Sequence, residues 1–294
     1  MSVAGDLAVN LAAGAIGAGA GALVQPVRAH FRTRGPRRFW RPFVAGKQVR
    51  VVIGGPSLEG NAWEESGLMG VGDTLALRDL QSDFARIGAE VDVRLASHIA
   101  RSELADCALV SLGGPDSSHV TKALTERAET TLRFGDPESH EVAISDLLAR
   151  CYYEPRIRSG TGVDYGLILR LSRSEVLHHA EAVVIGGSFG YGTWAGARLM
   201  REKQFLENRI VRSKSPFECL YKTAVAGGHL GGIEILALRP LSGEIRASDD
   251  DIDPRWIGAG GRGSTFLGPG WRRPEQMPDR ASTEISPLDA TSDE

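Results

Sequence analysis

The sequence predicts an α/β fold with an open, mostly parallel sheet, helices on both faces, a late β-hairpin and a preceding N-terminal helix. The prediction rests on three strand–glycine–helix units, at residues 51–56, 108–115 and 182–193. Each unit begins with a short apolar, β-branched run, which is typical of a strand buried on both faces. Each strand then ends at a pair of glycines, where the backbone can turn without a Cβ clash.

The first half of the α/β region, from about residue 47 to residue 128, alternates between predicted strands and helices. An apolar stripe at helical spacing follows residues 72–74, and Gly88 is placed to end that helix. The alternating residues 90–95 predict a second strand, and residues 116–118 offer caps for the helix after the third strand. Such alternation is typical of a parallel sheet with helices on its faces.

The second half of the body is less regular. Residues 130–134 predict a short strand, whereas residues 142–151 have helical spacing. Residues 164–171 predict another strand, and residues 218–226 and 232–239 predict a hairpin joined by a longer, glycine-rich turn.

The N-terminal region has the pattern of a membrane anchor. Residues 7–24 carry no charge, and their length is close to the ~20 residues that cross a bilayer core. No acidic residue lies between Asp6 and Glu59. The basic segment from Arg28 to Arg50 therefore predicts a single anchor, with the body on the cytoplasmic face of the cell membrane and this segment against anionic lipids. A soluble glycine-rich leader and a helix packed on a partner stay open as alternatives.

Other partners follow from composition and spacing. Gly17 and Gly21 have the G-x-x-x-G spacing that lets two membrane helices approach closely, so we expect a homo-oligomer. The arginines have no recognisable nucleic-acid fold beside them, so nucleic acid is not an expected partner. The three cysteines are far apart and unpaired in spacing, which predicts neither a disulfide framework nor a zinc site. No cofactor or metal is predicted.

The chain divides into three predicted regions. Residues 1–46 hold the hydrophobic helix and the basic segment, and residues 47–240 form the α/β domain. Residues 241–294 lose apolar periodicity and are rich in glycine, proline and acidic residues, which predicts a disordered tail.

The glycine turns are the predicted ligand site, because ligands of open α/β sheets bind at the carboxyl ends of the strands. The turn at residues 186–193 joins a strand to a helix, so its backbone N–H groups and the helix N-terminus predict an anion site. The predicted ligand-binding residues are Gly54, Gly55, Gly113, Gly114, Asp116, Gly187, Ser188, Gly190, Gly192 and Thr193.

Three acidic residues are candidates for catalysis. Asp73 and Asp116 follow the first and second of these strands, and Glu64 lies in the first loop. Carboxyl groups in such places could perform acid–base or glycosidic chemistry. The alternative is that Asp73 and Asp116 cap helices and that Glu64 belongs to a solvated loop.

Within residues 47–240 the order of predicted strands, glycine turns and helices resembles that of the Rossmann-like nucleotide-binding domains of the SLOG superfamily and of the nucleoside deoxyribosyltransferases. Residues 54–56 resemble the small glycine turn that ends a strand, and residues 190–193 resemble the G-x-G-T turn that opens a helix facing the nucleotide. The resemblance implies a nucleotide-like ligand. Enzymatic members place a glutamate shortly after this turn, where residues 194–197 carry no acid, which favours binding without turnover.

The sequence thus predicts a membrane-tethered cytoplasmic module that senses or binds a nucleotide-like small molecule. Two alternatives belong to other functional classes. One is an N-glycosidase-type enzyme acting on nucleosides or nucleotides through Asp73, Asp116 or Glu64. The other is a structural or assembly protein that oligomerises through its N-terminal helix.

Overall fold

The computed structural model describes residues 35–44, 48–55, 70–104, 107–128, 130–135, 143–171 and 181–241. Residues 35–40 are helical and precede the first strand. The elements that follow are β1 (Gln48–Ile53), α1 (Val71–Ile87), β2 (Glu90–Leu95), a 3-10 helix (Ala96–His98), α2 (Arg101–Leu104), β3 (Ala108–Leu112), α3 (His119–Arg127), β4 (Leu132–Phe134), β5 (Ile144–Asp146), β6 (Cys151–Tyr153), β7 (Arg156–Arg158), β8 (Thr161–Leu171), β9 (Ala182–Gly187), α4 (Gly190–Leu199), α5 (Lys203–Glu207), α6 (Arg209–Arg212), β10 (Phe217–Ala226) and β11 (His229–Pro240).

The main sheet has a parallel part and an antiparallel part. Strands β2, β1, β3 and β9 are neighbours in that order, and every pairing among them is parallel. Beyond β9 the sheet continues through β8, β10 and β11 with antiparallel pairings, and β7 adds to β8. Strands β4, β5 and β6 form a separate antiparallel sheet. The predicted α/β class and the central parallel strands are confirmed.

Both faces of the main sheet are covered. Along β1, Val51 contributes to one buried cluster and its neighbour Val52 to another, as expected for side chains that alternate across a strand. The Val51 cluster contains α1 and α4 side chains such as Phe84 and Ala195. The Val52 cluster contains α3 side chains such as Leu124, together with residues of β4 and β5.

An aromatic segment, residues 35–44, packs into the first of these clusters. Phe39, Trp40 and Phe43 are buried, and the Trp40 ring centroid lies 4.9 Å from that of Phe84 on α1. The guanidinium of Arg170, fully buried on β8, lies 5.1 Å from the centroid of the Phe39 ring. These aromatic side chains therefore belong to the core of the α/β body, although they precede the boundary predicted at residue 46.

The basic segment also contributes to the sheet. Arg50, its last residue, is buried in β1, and its Nε donates to the Asp92 carboxylate at 2.8 Å. This guanidinium is therefore engaged within the protein.

The helical prediction for residues 142–151 is wrong. Residues 144–151 form β5, a turn and the start of β6. The Asp146 carboxylate accepts the backbone N–H groups of Leu148 and Ala149 at 3.0 Å, which closes the turn. The same carboxylate pairs with Arg239 of β11. Long-range pairing of this kind overrides a weak local periodicity.

The predicted late hairpin is confirmed, with a shorter turn than expected. Strands β10 and β11 are joined by Gly227 and Gly228 alone, whose φ angles are +56° and +77°. Two consecutive residues with positive φ are typical of a type I′ turn, which matches the twist of the flanking strands. Glycine is suited to both positions because it has no Cβ.

The membrane and tail predictions fall largely outside the described residues. Residues 7–24 and the tail from residue 242 onward are not among them. Within the ranges given above, no helix combines the length and the apolar character that crossing a bilayer requires.

Helices α1 and α4 touch at their N-termini. A Cβ added to Gly72, in the first turn of α1, would lie 2.0 Å from the carbonyl oxygen of Gly190, the first residue of α4. Because real Cβ atoms do not approach backbone so closely, the two helices hold this crossing only while residue 72 is glycine.

We therefore predict that Gly72→Ala destabilises the protein by about 3 kcal/mol, the upper part of the range for overpacked sites. The matched control is Gly232→Ala in β11, where an added Cβ meets no atom within 4 Å. Urea denaturation of both variants measures the difference. Equal midpoints for the two variants would contradict the close helix crossing.

Candidate functional site

The three glycine turns lie side by side at one edge of the main sheet, where β1, β3 and β9 end. A Cβ on Gly54 of the first turn would lie 2.4 Å from Oγ of Ser117, which follows the second turn. A Cβ on Gly114 of the second turn would lie 3.4 Å from the carbonyl oxygen of Gly187 in the third. The topology thus brings the predicted ligand-binding residues together at the carboxyl ends of the parallel strands.

Three glycine N–H groups of the first two turns donate within the protein. Gly54 donates to the carbonyl of Leu112 at 3.1 Å, and Gly55 donates to that of Ser117 at 2.9 Å. Gly113, with φ of +98°, donates to the carbonyl of Ile185 at 3.0 Å. These bonds hold the turns in register, and they leave the amides of Gly54, Gly55 and Gly113 engaged.

A buried carboxylate occupies the start of α4, where the sequence predicted an anion site. The Asp164 side chain, on β8, accepts the N–H of Phe189 at 3.1 Å and that of Gly192 at 2.6 Å. It also accepts the N–H of Tyr165 at 2.8 Å. Burial raises the pKa of Asp164 to about 7, and the hydrogen bonds from these amides oppose the rise. The helix N-terminus therefore already has an internal acceptor.

Tyr221, on β10, binds the same turn through its side chain. Its buried hydroxyl donates to the carbonyl of Gly192 at 3.0 Å. A Cβ on Gly166 or on Gly196 would lie 2.3 Å from this hydroxyl oxygen. Gly196 therefore lets α4 pack closely on the sheet, and Tyr221 is the side chain that fills the space.

Asp73 is a buried carboxyl of the first turn of α1 and is not a helix cap. The N-cap is Gly70, and no side chain caps this helix. One carboxyl oxygen of Asp73, Oδ2, lies 3.8 Å from the position of a Cβ on Gly113. The other, Oδ1, is buried and has no hydrogen-bond partner. Burial raises the pKa of Asp73 to about 6; a hydrogen bond with Thr193 lowers it and the charge of Asp116 raises it further.

The other predicted residues have distinct surroundings. Ser188 is 9% exposed, and its Oγ is buried without a hydrogen-bond partner. Asp116 is exposed, and its carboxylate covers Gly114, with Oδ1 2.4 Å from the position of a Cβ there. It does not cap α3, since Ser118 is the N-cap and its Oγ accepts the N–H of Thr121 at 3.2 Å.

Thr193 and Glu64 complete the predicted set. The Thr193 hydroxyl oxygen accepts the N–H of Gly187 at 3.1 Å and connects the third turn to Asp73. Glu64 lies outside the described residues.

Sequence reasoning missed two side chains that shape this site, Asp164 and Tyr221. A signal was present for Asp164, because it is an acidic residue at the head of an otherwise apolar predicted strand, and buried charges require partners. Tyr221 carried no comparable signal, since a tyrosine in a strand is usually a packing residue.

Comparisons with known proteins assign no family. No protein-family model matches the chain, and no curated protein is significantly similar to it. Within the described ranges, no group of three or more His, Cys, Asp or Glu side chains is placed to hold a metal ion. The site must therefore be interpreted from its own geometry.

The raised pKa of Asp73 predicts a pH-dependent stability. The folded state keeps this proton up to about pH 6, whereas an aspartate with the ordinary pKa of 3.8 loses it earlier. The contribution of Asp73 to the free energy of unfolding therefore falls as pH rises between these two values. A shift of about two pKa units corresponds to about 3 kcal/mol. Asp73→Asn cannot ionise, so we predict that its stability relative to the parent protein rises by up to about 3 kcal/mol between pH 4 and pH 7.

Urea denaturation across this pH range measures the effect. Glu126→Gln, which changes an exposed carboxyl on α3, is the matched control. A difference between Asp73→Asn and the parent that does not vary with pH would contradict the burial of an ionisable Asp73.

Proposed function

We propose that this protein is a binding module for a small nucleotide-like ligand, which it holds at the glycine-turn edge of the sheet. The ligand is recognised chiefly by side chains, and the turns bring those side chains together. The proposal does not require turnover, because the stretch after the third turn, residues 194–197, carries no acid.

One observation carries this proposal: two polar side chains at the same edge are buried without partners. Oδ1 of Asp73 and Oγ of Ser188 make no hydrogen bond, and both residues are 9% exposed. Buried polar atoms are nearly always hydrogen-bonded, because leaving one unpaired costs about 1–3 kcal/mol. Ligand hydroxyl groups that complete these bonds would explain why the two side chains are retained.

The surroundings of these side chains favour a ligand over a packing role. The edge lies at the carboxyl ends of parallel strands. Strands β1 and β3 are neighbours there, and the chain adds β2 on the outer side of β1 and β9 on the outer side of β3. Ligands of open α/β sheets bind at such a junction. The exposed Phe189 and Val71, at the starts of α4 and α1, add apolar surface suited to a planar base.

A second candidate function is N-glycosidic hydrolysis, and the Asp73 carboxyl is the observation that favours it. Burial brings the pKa of Asp73 to about 6, which is close to the range of a general acid or base at neutral pH. Asp116 lies near enough to raise that pKa further, so two carboxyl groups serve the same edge. In this function the protonated Asp73 would donate its proton to the departing base, and water would take the place of the base on the sugar.

Tethering to a membrane stays a prediction from residues 7–24, which lie outside the described residues. Fractionation of cells expressing the full chain tests it, since a tethered protein sediments with membranes and is released by detergent.

We predict that Ser188→Ala weakens nucleoside or nucleotide binding about tenfold, the value of one hydrogen bond of about 1.4 kcal/mol. The fold should tolerate this change, because the lost hydroxyl has no protein partner. Thr130→Val is the matched control: the Thr130 hydroxyl is also buried and unpartnered, but the N–H of the neighbouring Thr131 donates to Glu218 of β10 at 2.8 Å rather than to a glycine turn.

Isothermal titration of the purified full chain with ribonucleosides and their monophosphates measures these affinities, and chromatography of the same samples detects released base. Binding that is weakened in Ser188→Ala and unchanged in Thr130→Val supports the site. Base release that disappears in Asp73→Asn would favour the enzyme. Absence of binding to every compound would overturn the proposed function.

A further inference from the structure

We infer that this edge accepts the neutral, hydroxyl-bearing part of its ligand and rejects a phosphate there. The inference rests on the proposed function and narrows it: the sugar hydroxyl groups that face Asp73 and Ser188 must be unphosphorylated. It also reverses the expectation of an anion site at residues 186–193.

Four backbone donors of the third turn that a phosphate could use already have acceptors within the protein. Phosphate sites in α/β folds consist of free N–H groups in a glycine turn and at the start of a helix. In the third turn, Gly187 donates to Thr193 at 3.1 Å and Ser188 donates to the carbonyl of Tyr165 at 2.9 Å. Phe189 and Gly192 donate to Asp164.

Three N–H groups of the second turn are engaged in the same way. Gly113 donates to the carbonyl of Ile185, and the N–H groups of Ser117 and Ser118 both donate to the carbonyl of Gly114, at 3.3 Å and 3.0 Å. A phosphate that used any of these donors would have to displace a protein acceptor. The loss of those bonds offsets the bonds that the phosphate forms.

The edge also carries negative charge. Asp73 lies in the first helical turn of α1. The carboxyl group of Asp116 lies against the second glycine turn, and that of Asp164 against the third. Among the residues that the structure describes, no Lys or Arg forms an ion pair with any of these three. A phosphate carries up to two negative charges, so it would be repelled here.

The two unpartnered atoms have the hydrogen-bonding chemistry that a sugar hydroxyl group complements. Oδ1 of Asp73 accepts a hydrogen bond when ionised, and the Ser188 hydroxyl both donates and accepts. A sugar hydroxyl donates one hydrogen bond and accepts others, so hydroxyl groups complement each of these two atoms. A phosphate oxygen accepts only, and it has nothing to receive from an ionised Asp73.

The test compares each of the four ribonucleosides with its 2′- and 3′-monophosphate, by isothermal titration of the full chain at pH 8 and low salt. We expect the unphosphorylated nucleoside that binds best to bind at least about tenfold more tightly than either of its monophosphates. Asp116→Asn removes one exposed negative charge and should narrow this ratio. Glu126→Gln, exposed on α3, should leave the ratio unchanged.

Each outcome decides between the inference and the proposed function. A 2′- or 3′-monophosphate that binds as tightly as its nucleoside, or more tightly, overturns the inference and leaves the binding function intact. A ratio that Asp116→Asn does not change overturns the electrostatic argument. No binding of any nucleoside or monophosphate overturns both the proposed function and the inference.

Discussion

The buried carboxyl of Asp164 is the interaction on which the rest of this edge depends. It lies on β8 and accepts N–H groups of Tyr165, Phe189 and Gly192, so one side chain joins a strand, a turn and the first turn of α4. Burying the Asp164 carboxyl without these amides would cost several kcal/mol. The position of the third turn and the burial of Asp164 therefore depend on each other. Tyr221 supports the arrangement from β10 by donating to the carbonyl of Gly192.

The position of α4 then determines that of α1. The two helices meet at Gly72 and Gly190, and side-chain bonds continue the contact along their lengths. The Trp194 indole donates to Asp79 at 3.0 Å, and the Arg201 guanidinium pairs with Asp83 at 2.7 Å. This packing buries Gly72 and Asp73 in the first turn of α1, and Oδ1 of Asp73 has no partner. Proteins commonly retain such costly arrangements at functional sites.

The sequence was most informative where local chemistry determines structure. Glycine pairs after apolar runs predicted the three turns, and the stripe ending at Gly88 predicted α1. It was less informative where distant residues meet. Residues 144–151 form β5, a turn and the start of β6, and Asp146 there pairs with Arg239, far along the chain. For the same reason the glycine pattern at residues 186–193 could not reveal that Asp164 accepts two of its amides.

The backbone amides of the third turn offer the most direct test of this account. In an amide NMR spectrum of the isotopically labelled full chain, titration with inorganic phosphate should leave the signals of Phe189 and Gly192 unmoved, because both amides donate to Asp164. A saturable shift of these two signals at millimolar phosphate would contradict the account. It would show that the start of α4 is open to anions despite the hydrogen bonds that Asp164 accepts there.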